Sequence, residues 1–248
     1  MRTTTFALAG LLTLSLAACG RAAAEPPSAA PSPRFTFTPE SNCQGYYALS
    51  FDDGPTGMTQ DYLNALRAAN APATFFVNGY RIKDHPGYIE KMAADGHQVG
   101  NHTEDHENLN DLAATPPAFN AQIDSVQSEV TSVGAPAPTL FRPPYGAATP
   151  AVRQQIEAKG FLVTMWSVDT KDWEPTATAE SILAKTAQTG NGDILLMHED
   201  KPTTLGVIPR VVSQLRAKGL CPGKIVKSPT ERPTDQEGRT MNAMAVKP

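Results

Sequence analysis

The chain is predicted to be an α/β protein whose parallel sheet winds into a small or incomplete barrel. Three observations lead there. Short apolar runs alternate with helical patterns along most of the 248 residues, the order that places helices outside a parallel sheet. Polar residues of catalytic type recur at the C-terminal ends of successive runs, where such barrels keep their chemistry. No glycine-rich dinucleotide or phosphate loop follows the first run, which disfavours an open doubly wound sheet.

From the N-terminus, Met1-Arg2 begin a short, weakly basic start, and residues 6–16 form an apolar run of signal-peptide length, too short to span a bilayer. It ends in Leu16-Ala17-Ala18-Cys19-Gly20, which resembles a bacterial lipobox with Cys19 as the lipidated residue and 1–19 as the leader. An ordinary cut after Ala22-Ala23-Ala24 is the alternative. The lipobox is preferred because Leu-Ala-Ala-Cys sits directly at the end of the apolar run. Either way the protein is exported, lipid-anchored to the outer face of the cell membrane or secreted. Residues 20–42, rich in Ala, Pro and Ser, read as a disordered tether. A folded domain is expected over 43–227, and 228–248 read as a flexible tail.

Within the domain the apolar runs predict strands at 46–51, 73–77, 98–101, 139–142, 162–166, 194–197 and 224–226. Helical patterns occupy 59–69, 87–94, 118–133, 150–159, 180–187 and 205–218. Setting Cys19 aside leaves an even pair, Cys43 and Cys221, and in an exported protein a disulfide follows, with two buried thiols as the plainer reading. The bridge would tie the start of the domain to its end. In the chain-entropy model so long a loop contributes on the order of 5 kcal/mol at most. A net charge of -4 and a pI of about 5.7 argue against partners with phosphate backbones, so no nucleic acid is expected.

The first predicted strand closes on two adjacent carboxylates, Asp52 and Asp53, followed at once by Gly54-Pro55. Two such groups at a sheet end repel each other unless a cation or an arginine compensates. His102-Thr103-Glu104-Asp105-His106 places two imidazoles four residues apart, close enough to reach one ion. Asp53 with His102 and His106 makes a two-histidine, one-carboxylate set with open positions, suited to Zn²⁺ or a similar divalent metal, and leaves Asp52 free as a base. Arg142-Pro143-Pro144-Tyr145-Gly146 follows the fourth strand, Asp169 the fifth and His198 the sixth. His85 and His97 have no evident catalytic partner and are read as structural or solvated.

Five motifs thus stand in order: Ser50-Phe51-Asp52-Asp53-Gly54, His102-Thr103-Glu104-Asp105-His106, Arg142-Pro143-Pro144-Tyr145, Asp169-Thr170-Lys171-Asp172-Trp173 and Leu196-Met197-His198. Together they make the chain resemble the polysaccharide deacetylase (NodB homology) domain of carbohydrate esterase family 4, over about residues 43–224. The segments Asn42-Cys43-Gln44-Gly45-Tyr46 and Lys218-Gly219-Leu220-Cys221-Pro222-Gly223 are similar to those of secreted actinobacterial members, including acetylxylan esterases. The resemblance implies a distorted (β/α)7 barrel, similar to a TIM barrel.

It also implies roles. Asp53, His102 and His106 would hold the metal, Zn²⁺ foremost, with Co²⁺ or Ni²⁺ as alternatives. Asp52 would be the base, with Arg142 set against it. His198 would be the acid, with Asp169 hydrogen-bonded to it. The backbone N–H of Tyr145 would face the oxyanion, since Pro143 and Pro144 have none to give. Trp173 and Leu196 would line the pocket for the acetyl methyl, or else serve as plain core.

The leading reading is a metal-dependent hydrolase, expected as a monomer, that removes N- or O-linked acetyl groups from an extracellular polysaccharide: xylan, chitin or peptidoglycan. The competing class is a non-catalytic glycan-binding module on the same fold. A metal phosphoesterase is disfavoured by the acidic pI and by too few ligands for a two-metal centre.

Overall fold

The computed structural model describes residues 1, 3, 35–232 and 241–246. Cys19, the end of the expected leader and the tether up to residue 34 lie outside the described residues.

The domain alternates as expected. Strand β1 (Gly45–Gly54) leads to helix α1 (Thr59–Ala68), β2 (Ala73–Val77), α2 (Gly79–Asp84), α3 (Tyr88–Ala94) and β3 (Gln98–Asn101). Helices α4 (Leu109–Leu112) and α5 (Pro116–Ser132) precede β4 (Leu140–Phe141), then α6 (Pro150–Ala158), β5 (Leu162–Val163) and β6 (Val168–Asp169). Helix α7 (Ala179–Thr186), β7 (Ile194–His198), α8 (Pro202–Ala217) and β8 (Leu220–Pro222) complete the unit. Local chemistry sets several boundaries. Thr149 caps α6 by accepting from the Val152 N–H, and Thr178 and Ser181 form a reciprocal capping box on α7. Prolines sit in the first turn of α5, α6 and α8, where a missing N–H costs nothing.

The strands form one parallel sheet in the order β5-β4-β3-β2-β1-β7-β6, with β8 pairing the N-terminal end of β1. This is the curled sheet of a distorted, incomplete barrel. Strand β2 is buried along its whole length, and neighbours in sequence alternate between two buried clusters. Leu49, Phe75 and Leu195 pack with Tyr62 of α1 and Val211 of α8, whereas Ala48, Phe76 and Leu196 pack with Phe119 of α5 and Val152 of α6. A strand covered on both sides must be apolar at every position, which is why these runs show no polar alternation.

The sheet opens between β5 and β6, and the expected strand at 162–166 is broken there. Only four residues separate the two elements, too few for a crossover helix. The carbonyls left unpaired at this seam are taken by Arg142, whose Nε donates to Thr164 O (3.2 Å) and whose second terminal nitrogen donates to Met165 O (3.1 Å).

Both ends of the domain differ from the sequence expectation. Residues 35–40, read as tether, bind the domain: the Phe35 N–H donates to Ala94 O (3.1 Å), Phe37 meets the His97 ring edge-on and Glu40 pairs with Arg216. Two phenylalanines are unlike the Ala/Pro/Ser composition before them. The run expected at 224–226 lengthens to β9 (Lys224–Arg232), which pairs antiparallel with β10 (Met241–Val246) instead of joining the barrel. The polar, proline-containing segment between hides the strand-forming content of residues 241–246. Cys43 and Cys221 are disulfide-bonded, with Cα atoms 5.6 Å apart, and Cys221 sits on β8 opposite Tyr46. The bridge and the β1–β8 pairing therefore close the domain at the same point.

Candidate active site

At the C-terminal end of β1 a register shift between Asp52 and Gly54 separates the two adjacent carboxylates. Asp52 turns inward. It is 3% exposed, and the fully buried Arg142 donates to its Oδ1 at 2.7 Å and to Ser50 Oγ at 2.9 Å. The guanidinium also lies 4.1 Å from the centre of the Phe76 ring. With Asp52 as counter-ion, and Ser50, two backbone carbonyls and a π face around it, this cation is neutralised and hydrogen-bonded inside the protein. The compensating arginine demanded by two adjacent carboxylates is Arg142, and it serves Asp52.

Asp53 takes the other direction, with a left-handed φ of 66°. Its Oδ1 lies 3.7 Å from His102 Nε2 and 3.5 Å from His106 Nε2. Burial pushes the Asp53 carboxyl up, but His102, His106 and His198, with Arg81, outweigh it and hold it below the usual carboxylate value. Burial and the neighbouring His102 push the His106 imidazole down, favouring its neutral form. The Nδ1 of His102 is 2.6 Å from Arg142 O. A carbonyl can only accept, so Nδ1 is the donor there, and Nε2 is the ring atom turned toward Asp53.

These residues fit a divalent cation. One ligand atom from each of Asp53, His102 and His106 lies within 4.8 Å of the others. Asp53 Oδ1 is buried with no hydrogen-bond partner, an arrangement that is costly without a cation.

At the end of β7, His198 is held by Asp172. Asp172 Oδ1 lies 2.7 Å from His198 Nδ1, while its Oδ2 accepts from the His198 N–H (2.8 Å) and from Thr204 Oγ1 (2.7 Å). Burial pushes the imidazole down, but the Asp172 hydrogen bond and charge, with Asp52 and Asp53, outweigh it and raise the pKa to about 9. The partner expected from the sequence was Asp169, and the structure corrects this. Asp169 Oδ1 accepts from the Lys171 N–H (2.9 Å) and its Oδ2 pairs with Lys171 Nζ (3.1 Å). An aspartate entering a turn satisfies the backbone two residues on, so its side chain is used locally. Asp172 and Trp173 occupy the centre of the next turn, closed by Glu174 N–H to Lys171 O (3.2 Å), and Asp172 faces β7.

A cleft of about 500 Å³ joins these groups. It is lined by Asp52, Asp53, His102 and His106, and by Asp169, Leu196 and His198. Trp173 and Tyr145 also line it and remain 47% and 67% exposed. Tyr145 has φ 60° and its ring meets that of His106 at 4.6 Å. Among the described residues six non-glycines have positive φ, and four of them, Asp53, His106, Tyr145 and Lys171, line this cleft. Each costs roughly 1–2 kcal/mol, and such strain gathers where function requires a geometry that the backbone does not prefer.

Of the remaining histidines, His97 accepts the Ala73 N–H at Nδ1 (3.1 Å) and is driven by burial, with Lys224 and Arg67, down to about 3, a structural group. The sequence reading missed three contributors: Asp172, Ser50 beneath Arg142, and Glu199. Glu199 is wholly buried, accepts from Thr59 Oγ1 and lies so close to Gly54 that a Cβ there would overlap its Oε2. Only an acidic residue directly after His198 pointed to it in the sequence.

The family model described as polysaccharide deacetylase matches residues 40–164. The chain is 36% identical over 187 residues to a bifunctional xylanase/xylan deacetylase of Cellvibrio japonicus, covering 75% of this chain and 28% of that protein. It is 35% identical over 182 residues to the peptidoglycan-N-acetylglucosamine deacetylase PgdA of Listeria monocytogenes, covering 73% of this chain and 38% of that protein. The chain thus spans well under half the length of these two curated relatives. A solved family 4 carbohydrate esterase from Streptomyces lividans, in complex with acetate, superposes with a TM-score of 0.72 at 35% identity, over 83% of this chain and 99% of that one.

Proposed function

The chain belongs to the polysaccharide deacetylase family, carbohydrate esterase family 4, and from that premise we propose that it hydrolyses acetyl groups, N- or O-linked, on an extracellular polysaccharide. One observation carries the reading: a buried Arg142–Asp52 pair, a two-histidine, one-carboxylate set and a charged Asp172–His198 pair open on one cleft.

Asp53, His102 and His106 would hold the divalent ion, with Zn²⁺ the choice that suits nitrogen and oxygen donors. Its chemistry there is Lewis acidity, which acidifies water and polarises an acetyl carbonyl. The remaining work belongs to the chain. Asp52, oriented by Arg142, accepts the proton of the attacking water. The Tyr145 N–H, first in the loop after two prolines, donates to the developing oxyanion. His198, kept protonated by Asp172, donates to the departing sugar oxygen or nitrogen. Leu196 and Trp173 give the acetyl methyl an apolar wall.

The Cys43–Cys221 disulfide supports a site of action outside the cytoplasm. Attachment through a lipid on Cys19 is our reading of Leu16-Ala17-Ala18-Cys19. The test is acetate release from acetylated xylan, chitooligosaccharide and peptidoglycan by zinc-loaded protein, with and without chelator. Release that chelator abolishes is expected. No release from any of them by metal-loaded protein would turn the reading toward a glycan-binding module.

A further inference from the structure

The aspartate that the sequence assigned to His198 is instead committed to a lysine, and that lysine faces the cleft. Lys171 follows β6 and Lys201 follows β7, the adjacent strand, and both line the cleft on the wall that carries His198. Lys171 is held in three ways. Its backbone is left-handed (φ 59°), its N–H is bound by Asp169 Oδ1, and its ammonium sits 3.1 Å from Asp169 Oδ2 and 4.9 Å from the centre of the Trp173 ring. Lys201 is anchored through its carbonyl, which accepts from Tyr62 OH (2.7 Å), and its ammonium lies 3.0 Å from Asp200 Oδ1.

Fixing a long, flexible side chain on a strained backbone works against folding, and a partly exposed ion pair returns little. An ammonium has three donors, and one carboxylate neighbour leaves others free for the cleft. Outside the groups assigned to metal binding and proton transfer, the charged residues lining the cleft are Lys171, Lys201 and Asp169, and Asp169 is engaged by Lys171. Each ammonium has one carboxylate neighbour, Asp169 for Lys171 and Asp200 for Lys201, so what this wall offers a substrate is the spare donors of two paired cations.

We propose that Lys171 and Lys201 form a carboxylate-binding subsite, so that acetylated glycans bearing a carboxylate close to the acetylated sugar are preferred over neutral ones. This rests on the deacetylase reading and names its substrate class. The carboxylate could belong to a uronic acid branch on xylan or to the lactyl ether of a muramic acid, and both present the same anion to two ammonium groups.

The experiment uses zinc-loaded protein and two matched pairs: a glucuronic acid-substituted acetyl-xylooligosaccharide with its carboxyl-reduced form, and a muramic acid-containing glycan fragment with its carboxyl-reduced form. Acetate release is followed at low and high salt. Binding of the same four compounds after chemical deacetylation is followed by tryptophan fluorescence, which does not depend on turnover. In at least one pair the acidic member should be preferred by roughly 5- to 30-fold, mainly through KM, with the preference weakened by salt. The pair that shows it identifies the source of the anion. Lys171→Gln and Lys201→Gln should each reduce the preference, the double variant should bring it close to one, and Lys171→Arg should retain it. Equal binding of both members of both pairs would overturn the subsite, as would a preference that survives the double variant. A binding preference without acetate release would uphold the subsite and overturn the deacetylase reading.

Discussion

His198 and Asp172 are joined twice, with Asp172 Oδ1 2.7 Å from the imidazole Nδ1 and Oδ2 accepting the His198 backbone N–H at 2.8 Å. The first contact keeps a proton on Nδ1 and directs the other ring nitrogen to the cleft. The second ties the turn after β6 to the end of β7, so the imidazole is positioned by backbone as well as side chain.

Replacing Asp172 by Asn should therefore move the alkaline limb of the pH–rate profile. As the proposed acid, His198 is competent while protonated, and its pKa of about 9 keeps it so through neutrality, so activity should fall as pH rises through that value. Asp172→Asn removes the charge that raises the pKa, so the limb should move down toward the ordinary imidazole value of 6.5. Asp169→Asn should leave the limb in place. A limb that moves with Asp169 and not with Asp172 would refute the pairing as the cause.

Metal content separates ligand from base. His102→Ala and His106→Ala should lose zinc and activity together, by elemental analysis of dialysed protein and by acetate release. Asp52→Asn should retain zinc and lose activity by about 10²–10⁴-fold, the size expected for a missing general base. Zinc lost from the Asp52 variant would make Asp52 a ligand.

Gly54 has no room for a methyl group because the wholly buried Glu199 carboxyl lies against it. Gly54→Ala should cost roughly 1–3 kcal/mol in stability as overpacking, and should weaken zinc binding because Asp53 is the preceding residue. Shortening the acid in Gly54→Ala/Glu199→Ala should recover part of both, giving a coupling of about 0.5–3 kcal/mol in a double-mutant cycle. Strictly additive effects would mean that the two residues do not compete for space.

Removing the disulfide should destabilise the domain without changing its chemistry. Cys43→Ser/Cys221→Ser should unfold at lower denaturant concentration, by about 2–5 kcal/mol, with zinc still bound below the transition. An unchanged midpoint would show that the β1–β8 pairing alone holds the two ends together.

Much of the site was legible because its chemistry is local. Asp53 and Asp52 are neighbours, His102 and His106 share one loop, and an adjacent carboxylate pair demands a cation wherever it is buried. The alternation of strands and helices was legible for a similar reason, since a strand covered on both faces must be apolar throughout, as in Ala73–Val77. The ends of the fold were not. Phe35 and Phe37 sit at the edge of a segment whose composition speaks for a tether, and residues 241–246 follow a polar stretch, so only their packing or pairing reveals them.

The sequence by itself therefore determined the class of fold and brought together the residues proposed here as ligands and base, because each follows from residue type and short spacing, whereas the acid role proposed for His198 came from the family resemblance. Tertiary structure alone decided which aspartate serves His198, that the barrel stays open at a seam stitched by Arg142, and that Lys171 is turned into the cleft. Asp169 and Asp172 are the same residue type three positions apart in successive turns, and no local rule ranks them for a partner on another strand. What ranks them is the direction in which the turn leaves β6: the Lys171 N–H engages the first carboxylate, and the left-handed backbone of Lys171 delivers the second to β7.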